Sequence, residues 1–384
     1  MDLNVTTDAR RPDARAEALV ASYERAGYAR LAPAILQPAE PFLDLSGEDI
    51  RKRMYLTQAP SGGEFCLRPD LTIPVSHDYL ASPLAGQAAG YCYLGPVFRH
   101  SGDGAPEFMQ AGIESFGRAD KAAADAEMLA RGLEATAHYG LPHPDIQTGD
   151  VALFVNFIAG LELPPAWKRR LIKDFNRKSN LAQDLDRLVL GGNNARPEYQ
   201  GVLAALAGSD PHGAHALVTD LLSIAGINAV GGRSVGEIAD RFLEQSALGA
   251  SAKLPRDVRS LIERFLAITG DPDEAAADLR ALAGEGNMTE ALSPALDLFE
   301  SRTGFLAAQG IDLKRVRFST AFGRGFDYYT GFVFELTDAS RTGDPLVAGG
   351  RYDGLLTRLG AAEPIPAVGF AVWIERLAVY GGAA

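Results

Sequence analysis

The feature that most constrains the fold is the separation of two strand-like ends by a long helix-like middle. From Ala34 to about Phe116, short β-prone runs such as EFCLRPDLTIPV and GYCYLGPVFRH are broken by Gly and Pro, and β character returns from Val316. Such runs predict antiparallel strands and hairpins. Residues 160–305 are instead rich in Ala, Leu, Glu and Arg at helical spacing. We therefore predict an α+β domain built by both ends of the chain, with helices inserted between them.

The domain boundaries are predicted where strand-like sequence gives way to helix-like sequence. We expect three segments, namely a first part of the core over 1–160, an inserted mainly helical region over 161–310, and a second part of the core over 311–384. Within the first segment, a helix is predicted over 120–140, with Asp120 as its N-cap and Gly140 as its stop.

Charge and hydropathy exclude several classes of protein. The chain has 37 basic and 49 acidic residues and a formal net charge of −12. Nucleic-acid affinity rests on Lys and Arg that neutralise phosphates, so this balance argues against a tight RNA binder. The N-terminus lacks an apolar stretch of signal-peptide length, and no run in the chain approaches the length of a membrane span, so we expect a cytoplasmic protein without a membrane partner.

Metal and cofactor motifs are absent from the sequence. Cys66 and Cys92 lack CxxC spacing, and the six histidines are dispersed without an HExxH pattern. There is no GxxxxGKS or GxxxxGKT phosphate loop and no GxSxG elbow. We therefore expect two reduced thiols, no metal site and no cofactor.

Polar residues recur at two-residue spacing in the first strand-like runs. Side chains on a strand alternate between faces, so Arg68, Asp70 and Thr72 of CLRPDLT are expected to point the same way. Gln110 and Glu114 of FMQAGIESFG should also project together, with the glycine between them leaving open space. Both groups are therefore candidates for one polar cavity.

Further polar residues are expected at the same cavity. Arg99 ends the strand GYCYLGPVFR, and the segment GRGFDYYTG supplies Arg324, Asp327, Tyr328 and Tyr329 between glycines. Carboxylates and amide oxygens accept from an ammonium group, while arginine binds a carboxylate, so this set suits a zwitterion. An interior polar network would explain any single residue. Several clusters on neighbouring strands favour a binding site, because buried charges are costly unless matched.

Taken together, these stretches resemble the catalytic core of class II histidyl-tRNA synthetases. LRPDLTIP is similar to the LRPE-type segment of that family, and YLGPVFRH with FMQAGIESFG is similar to its motif 2. GRGFDYYTGFVFE resembles the histidine-recognition segment, and GGRYDGL with PAVGFAVWIERL resembles motif 3. The resemblance implies a class II synthetase-like antiparallel sheet with flanking helices, and it covers most of residues 10–150 and 315–384.

The resemblance also implies roles for individual residues. The positions that correspond to histidine-binding ones are Asp70, Thr72, Gln110, Glu114, Arg324, Tyr328 and Tyr329. The positions that correspond to the ATP site are Arg99, Ser101, Trp373 and Arg376. Asp70 replaces the family's glutamate and is one methylene shorter.

Departures from the synthetase pattern lie mainly in the ATP site. His100 and Ser101 stand where a glutamate is expected, the following loop is short and lacks basic residues, and Trp373 replaces a motif 3 glycine. An indole brings roughly 150–250 Å² of apolar surface, so we expect it to obstruct the adenine position. The anticodon-binding domain of the synthetases has no counterpart before Ala384, so we expect no tRNA partner.

This pattern resembles a paralogous family, the regulatory subunits of ATP phosphoribosyltransferase. The resemblance implies a non-catalytic subunit that assembles with the short-form catalytic subunit, supports the first step of histidine biosynthesis and mediates feedback by histidine. A core dimer through motif 1, near residues 34–40, is also implied. Two alternatives stay open. One is a working histidine-activating ligase or truncated synthetase, since the arginines are retained. The other is a scaffold that binds the catalytic subunit without a ligand.

Overall fold

The fold is given by a computed structural model, which forms two compact units. The described residues are 14–45, 50–60, 62–100, 104–175, 181–186, 216, 219–220, 229–230, 233–234, 254–285, 288–325, 327–341 and 343–380. The first unit joins residues 1–157 with 265–384, and the second comprises Ile158–Arg264. The first unit holds every strand of the main sheet.

Helices are interspersed among the strands along the chain. The helices with assigned bounds are α1 (Ala14–Arg25), α2 (Glu40–Leu45), α3 (Thr72–Leu80), α4 (Lys121–His138), α5 (Val151–Gly160), α6 (Pro165–Asp174), α7 (Arg256–Ala267), α8 (Pro272–Glu285), α9 (Thr289–Ala308), α10 (Leu355–Arg358) and α11 (Ile374–Ala378). The strands are β1 (Ala29–Leu31), β2 (Leu36–Pro38), β3 (Tyr55–Gln58), β4 (Glu64–Leu67), β5 (Ala89–Phe98), β6 (Glu107–Phe116), β7 (Asp145–Asp150), β8 (Ala229–Val230), β9 (Arg233–Ser234), β10 (Thr269–Gly270), β11 (Val316–Ser319), β12 (Phe332–Thr337), β13 (Val347–Arg351) and β14 (Ala367–Trp373).

A nine-stranded sheet of order β1-β5-β6-β14-β13-β12-β7-β11-β10 dominates the first unit. Its pairs are antiparallel except β1 with β5 and β7 with β11, which are parallel. Strands β1, β5, β6 and β7 from the first half of the chain are therefore interleaved with β10 to β14 from its second half. The predicted α+β fold, with an antiparallel sheet built from both ends and flanking helices, is confirmed.

The two faces of the sheet carry different cores. One core contains residues of α1 and α4 together with Ile113 of β6 and Val347 of β13. The other core contains residues of α2, α3 and β4 together with Phe116 and Ala367. Because side chains alternate along a strand, Gln110 and Glu114 of β6 lie opposite the α4 side.

The segment LRPDLTIP does not continue as a strand, which corrects one expectation from the sequence. β4 ends at Leu67, and α3 begins at Thr72. Pro69 has no N–H to donate to a sheet ladder, and a proline is tolerated in the first turn of a helix, where Pro74 lies. The prediction that Arg68, Asp70 and Thr72 point the same way assumed that all three lie on one strand. The structure instead has a turn and the start of a helix there.

The buried Arg68 has a structural role in this turn. Its Nε donates to the carbonyl of Pro96 at 2.8 Å, and its Nη1 donates to the carbonyl of Pro33. A Cβ at Gly95 would overlap the Arg68 guanidinium. Arg68 therefore fastens the chain before α3 to β5 rather than facing a ligand.

The second unit is shorter at its C-terminal side than the insertion expected over 161–310. Helices α8 and α9 belong to the first unit, in which Arg302 of α9 pairs with Asp125 of α4. Helical periodicity reports that a helix has an apolar face, but not which domain covers that face. Within the second unit, Arg170 of α6 pairs with Asp184 at 2.7 Å.

The helix expected over 120–140 is α4, and it ends before Gly140, whose φ is +90°. Asp120 precedes the helix without capping it through its side chain. The Asp120 carboxylate instead accepts from Arg118 at 2.6 Å. Among the helices of the described ranges, none combines the length and apolar content needed to cross a bilayer.

Candidate functional site

A pocket of about 360 Å³, counting its open mouth, lies on the side of the sheet away from α4. It is formed by β6, β13 and β14, by the turn before α3 and by the loop between β11 and β12. Eight of the eleven residues predicted for the site line it, namely Asp70, Thr72, Arg99, Gln110, Arg324, Tyr328, Tyr329 and Trp373. The fold therefore brings together residues that lie up to 303 positions apart, from 70 to 373.

The other predicted residues have different positions. Glu114 is fully buried and does not line the pocket, and Arg376 points to a backbone carbonyl. Asp327 is exposed on the loop before β12 and is also outside the pocket lining. Ser101 lies outside the residues that the structure describes.

Three polar atoms of the pocket residues have no hydrogen-bond partner among the described residues. They are Asp70 Oδ2, Gln110 Oε1 and Arg324 Nε. Their side chains belong to residues that are only 4%, 1% and 7% exposed. A buried polar atom without a partner costs free energy, so such atoms in a cavity mark places where a ligand or water completes the hydrogen bonds.

Asp70 supplies a carboxyl group of the pocket, and Arg99 is the charged residue that affects its pKa most. Its Oδ1 accepts from the backbone N–H of Ile73 at 3.1 Å in the first turn of α3. Burial raises the pKa of Asp70, and the positive charge of Arg99 opposes that rise. The second oxygen, Oδ2, is left for a ligand because the turn uses only Oδ1.

Each of the two arginines of the pocket is held in position by contacts with other residues of the protein. Arg99 Nε donates to the carbonyl of Pro69 at 2.6 Å, and burial lowers its pKa to about 10, so it stays charged at neutral pH. Arg324 Nη1 lies 3.0 Å from Oε1 of Glu335, and its guanidinium lies 5.8 Å from the ring centre of Tyr329. Each arginine is thus oriented by the protein before any ligand arrives.

Glu114 lies behind the pocket wall, where three hydroxyl groups converge on its carboxyl. Thr72 Oγ1 donates to Oε1 at 2.8 Å, Tyr93 Oη donates to Oε1 at 3.3 Å, and Tyr352 Oη donates to Oε2. Burial raises the pKa of Glu114 to about 8, although the three hydroxyl groups oppose the rise. The protonated form is therefore favoured at neutral pH, and in that form one of these hydroxyl groups accepts a hydrogen bond from the carboxyl group instead of donating one.

Two glycines make room for this arrangement. A Cβ at Gly369, which pairs with Glu114 across β14 and β6, would overlap the Glu114 carboxyl. A Cβ at Gly112 would overlap the hydroxyl of Tyr93. The open space expected between Gln110 and Glu114 is thus filled by a tyrosine from the neighbouring strand.

Tyr93 and Tyr352 are functional residues that sequence reasoning missed. Tyr93 lies directly across β5 and β6 from Gly112, a large residue opposite a small one, but this register is not visible in one sequence. Tyr352 stands within the quoted string GGRYDGL, and it also lines the pocket. The string GGRYDGL does not by itself indicate a role for the Tyr352 hydroxyl group.

Trp373 stands at the end of β14, opposite Gln110 on β6, and is 7% exposed. The guanidinium of Arg376 lies 5.2 Å from the centre of its ring, and Arg376 Nη1 donates to the carbonyl of Pro345 at 2.6 Å. Glu375 Oε1 accepts from the backbone N–H of Met109 at 2.7 Å. Both charges after Trp373 therefore hold the end of β14 in place.

A second set of buried charges lies on the α4 side of the sheet. Asp125 of α4 accepts from Arg351 at 2.6 Å and from Arg302 at 3.2 Å, and Arg302 also reaches Asp150 at 2.6 Å. Asp353 adds a further contact to Arg351 at 2.9 Å. This cluster, Asp125–Arg302–Asp150–Arg351, ties α4, β7, α9 and β13 together.

The donor sets do not suggest a metal centre. Within the described ranges, no group of three His, Cys, Asp or Glu residues has the arrangement of a metal site. Cys66 and Cys92 are buried free thiols. The pocket instead offers a carboxyl group, an amide oxygen and guanidinium groups, a set that matches a small molecule with both an ammonium and a carboxylate group.

Comparisons with known proteins show the family of the chain. The histidyl-tRNA synthetase family matches residues 4–231 and 213–377. The chain is 42% identical over 353 residues to the ATP phosphoribosyltransferase regulatory subunit of Brucella canis, covering 91% of this chain and 92% of that protein. The regulatory subunit of Brucella suis gives the same identity and coverage.

Solved structures agree in fold. A protein of Bacillus halodurans, described as an ATP phosphoribosyltransferase regulatory subunit/histidyl-tRNA synthetase, has a TM-score of 0.63 at 21% identity, over 96% of this chain and 78% of that one. A histidine–tRNA ligase subunit of Alicyclobacillus acidocaldarius has a TM-score of 0.56 at 24% identity, over 97% and 95% of the two chains. These likenesses establish the class II synthetase-like fold.

Proposed function

This chain belongs to the histidyl-tRNA synthetase family and, within it, to the ATP phosphoribosyltransferase regulatory subunits, and we propose that its pocket binds histidine to regulate a catalytic partner. Its role is that of a regulatory subunit, not of a catalytic synthetase. The partner is the short-form catalytic subunit, the complex carries out the first step of histidine biosynthesis, and histidine inhibits it by feedback.

The observation that carries the ligand proposal is the set of three polar atoms that lack partners among the described residues. Asp70 Oδ2 and Gln110 Oε1 are acceptors for the ligand's ammonium group, and Arg324 Nε is a donor for its carboxylate. Tyr328 and Tyr329 flank Arg324 in the same wall.

Trp373 supports a pocket that excludes nucleotides. Its indole lines the cavity next to Ala371, and the contact with Arg376 keeps it in place. Arg376, which by resemblance would hold ATP phosphates, instead donates to Pro345. The variant Trp373→Gly tests this role. We expect an adenine nucleotide to bind it more tightly than it binds the wild-type protein, and equal affinities would contradict the exclusion.

Regulation requires that histidine binding and assembly be coupled by a free energy, typically about 1–3 kcal/mol. The test is to purify the chain with the catalytic subunit and to titrate histidine against activity. We expect the two chains to co-purify, the activity to depend on this chain, and histidine to inhibit it. Glu114→Ala should weaken inhibition and leave assembly intact. Unchanged histidine affinity in that variant would contradict the pocket assignment.

A self-association surface is also part of the proposal. Leu36, Leu67 and Tyr55 share one face of the small sheet β2-β4-β3, and Leu36 is 50% exposed. Leu36 of this apolar face lies in the region assigned to motif 1, and a second copy of the chain is the proposed occupant. Leu36→Asp should lower the oligomeric mass in light scattering, whereas Leu84→Asp, at a leucine 44% exposed elsewhere, should not. Equal masses would contradict the surface.

Absence of tRNA binding and a cytoplasmic location complete the proposal. The net charge of −12 disfavours a polyanionic partner, and the two free thiols fit a reducing compartment. A tRNA titration by filter binding tests the first point, because measurable retention at physiological salt would contradict it. Fractionation of cells that make the chain tests the second point.

A histidine-activating enzyme is the second candidate, and one observation favours it. Arg99 and Arg324 both line the pocket, as an adenylate-forming site requires. Exchange of pyrophosphate into ATP in the presence of histidine separates the two. We expect no exchange above background, and robust exchange would establish the enzyme instead.

A further inference from the structure

The segment that follows β14, residues 374–380, begins at the wall of the pocket and contains α11, a helix of only five residues. A helix this short is not stable by itself, because forming the first turn fixes several backbone angles for very few hydrogen bonds. The position of the segment therefore depends on its contacts with the rest of the first unit.

Arg15 of α1 holds the far end of this segment. Its Nη1 donates to the carbonyl of Tyr380 at 2.9 Å, and its Nη2 donates to the carbonyl of Ala378 at 3.1 Å. The last carbonyl groups of a helix have no partner within the helix, so the guanidinium group supplies donors that α11 lacks. The same guanidinium lies 4.8 Å from the ring centre of Tyr139, the residue after α4. Arg15 therefore joins the end of the segment to α1 and α4.

The side chain of Tyr380 makes a second attachment, to the loop between β12 and β13. Its hydroxyl donates to Asp338 Oδ2 at 2.8 Å, and the guanidinium of Arg341 lies 4.6 Å from the centre of its ring. The first turn of α11 is attached to the same loop, because Arg376 donates to the carbonyl of Pro345. Both ends of the segment are therefore fastened to one loop.

The segment meets the pocket through Trp373, which lines the cavity and immediately precedes α11. The guanidinium of Arg376 lies 5.2 Å from the centre of the indole ring. A shift of α11 would carry this guanidinium away from the ring and remove a contact that keeps the indole in the wall. The attachments of the segment therefore act on the pocket through α11.

We infer that Arg15 and Tyr380 are positioning residues of the pocket, which hold the segment after β14 and thereby keep the Trp373 indole where it excludes a nucleotide. The inference rests on the proposed exclusion of nucleotides by Trp373. It goes beyond that proposal because it assigns the discrimination to two residues that do not line the cavity.

Apolar burial also holds α11, but it does a different job. Ile374 and Leu377 are 3% and 0% exposed in the core on the α4 side of the sheet. Apolar attraction is not directional, so it keeps the helix against the core without setting its rotation by itself. Hydrogen bonds do depend on direction. The polar attachments of Arg15 and Tyr380 are therefore the ones that we expect to fix where the indole lies.

The test follows the indole and the discrimination together, in the full chain with the Trp167→Phe background, where Trp373 is the remaining tryptophan. Arg15→Gln and Tyr380→Phe should each shift the emission of Trp373 to longer wavelength and increase its quenching by acrylamide. Each should also bind ATP more tightly than the background protein in calorimetry, by roughly 3–10-fold, the range that one or two hydrogen bonds can give.

Arg25→Gln is the matched control, because Arg25 lies on the same helix and its Nε donates to Ala21 of that helix. It should leave the emission and the ATP affinity unchanged. Arg15→Lys is the conservative variant. It keeps the charge and can reach one carbonyl at a time, so it should restore part of the discrimination that Arg15→Gln loses. Tyr380→Phe removes only a hydroxyl group, so it tests the inference even where Arg15→Gln does not fold.

A merely structural role of the two residues would lower the free energy of unfolding but leave the emission and the ATP affinity of the folded variants equal to those of the control. That result overturns the inference. Trp373→Gly separates the inference from the proposed function. If Trp373→Gly gains ATP affinity and the two positioning variants do not, the inference fails while the exclusion stands. If Trp373→Gly also gains none, both fail.

Discussion

Two clusters of buried charges lie on opposite faces of strand β13, and they differ in whether the protein completes their hydrogen bonds. On the α4 side, Asp125 and Asp150 are fully matched by Arg302 and Arg351. On the pocket side, atoms of Asp70, Gln110 and Arg324 lack partners among the described residues.

The difference separates a structural cluster from a binding site. Burying a charge is costly, and a protein offsets the cost either with its own counter-charges or with those of a ligand. The cluster around Asp125 shows the first solution, and the pocket around Asp70 is prepared for the second. Burial alone therefore does not identify a site; the pocket is distinguished by unmatched polar atoms of several residues that line one cavity.

The largest expected effect comes from breaking the matched cluster. Asp125→Asn removes the carboxylate shared by Arg302 and Arg351, and it should lower the free energy of unfolding by about 3–5 kcal/mol, since it leaves buried positive charges unmatched. Denaturation followed by circular dichroism measures this. The control is Asp297→Asn, at an exposed pair with Arg280, which should cost at most about 1 kcal/mol. A loss no greater than the control's would show that the cluster is not structural.

The pH dependence of stability should report on Glu114, the buried carboxyl group on the pocket side. Its pKa is about 8 when folded against an ordinary value of 4.5, so between these values the folded state holds a proton that the unfolded state has lost. The stability that this proton contributes is complete below about pH 4.5 and is lost as pH rises towards 8. The slope is at most about 1.4 kcal/mol per pH unit. Glu114→Gln should lack this slope from pH 5 to 7.5. Parallel stability curves for the two proteins would show that Glu114 is ionised in the folded state.

Replacing Asp70, the aspartate of the pocket, should lower histidine affinity and leave stability nearly unchanged, whereas replacing Asp125 should lower stability. Asp70→Asn keeps the oxygen that accepts from Ile73 and removes a charge that is costly to bury, so stability should change by no more than about 1 kcal/mol. Histidine affinity should fall roughly 10–100-fold, because a charged acceptor for the ammonium group is lost. Calorimetry measures the affinity. A large loss of stability with unchanged affinity would mean that Asp70 has a structural role, as Asp125 does, and does not bind the ligand.

The smallest effect is expected at the contact between Arg376 and Trp373. Arg376→Ala should cost about 0.5–1 kcal/mol, the usual contribution of a cation–π contact at a partly exposed site. Arg376→Lys is the matched variant, because it keeps the charge but not the planar group. In the Trp167→Phe background, Trp373 is the remaining tryptophan of the chain, so its emission reports on the contact. Unchanged emission in Arg376→Ala would contradict the contact.

Several residues of the pocket were predictable from the sequence because local patterns and the resemblance to a known family marked them. The alternation along β6 placed Gln110 and Glu114 on one face, and the glycines of GRGFDYYTG marked the loop that carries Arg324. Thr72 was assigned to a strand because the β-prone run hid the helix start after Pro69. Local pattern was thus sufficient for strands but not for the turn.

The matched cluster could not be predicted from one sequence. Asp125 and Arg302 are 177 positions apart, and Asp125 and Arg351 are 226 apart, so only the folded chain brings them together. The Tyr93 and Tyr352 hydroxyl groups were missed for the same reason, since their partner Glu114 lies on another element. Contacts between distant elements depend on register and helix packing, which periodicity does not report.

The most direct test of the account is a crystal structure of the complex grown with histidine. The unmatched atoms predict that the ammonium group lies within hydrogen-bond distance of Asp70 Oδ2 and Gln110 Oε1, with the carboxylate near Arg324 and the indole of Trp373 unmoved. Histidine bound elsewhere, with these atoms still facing an unoccupied pocket, would contradict the account.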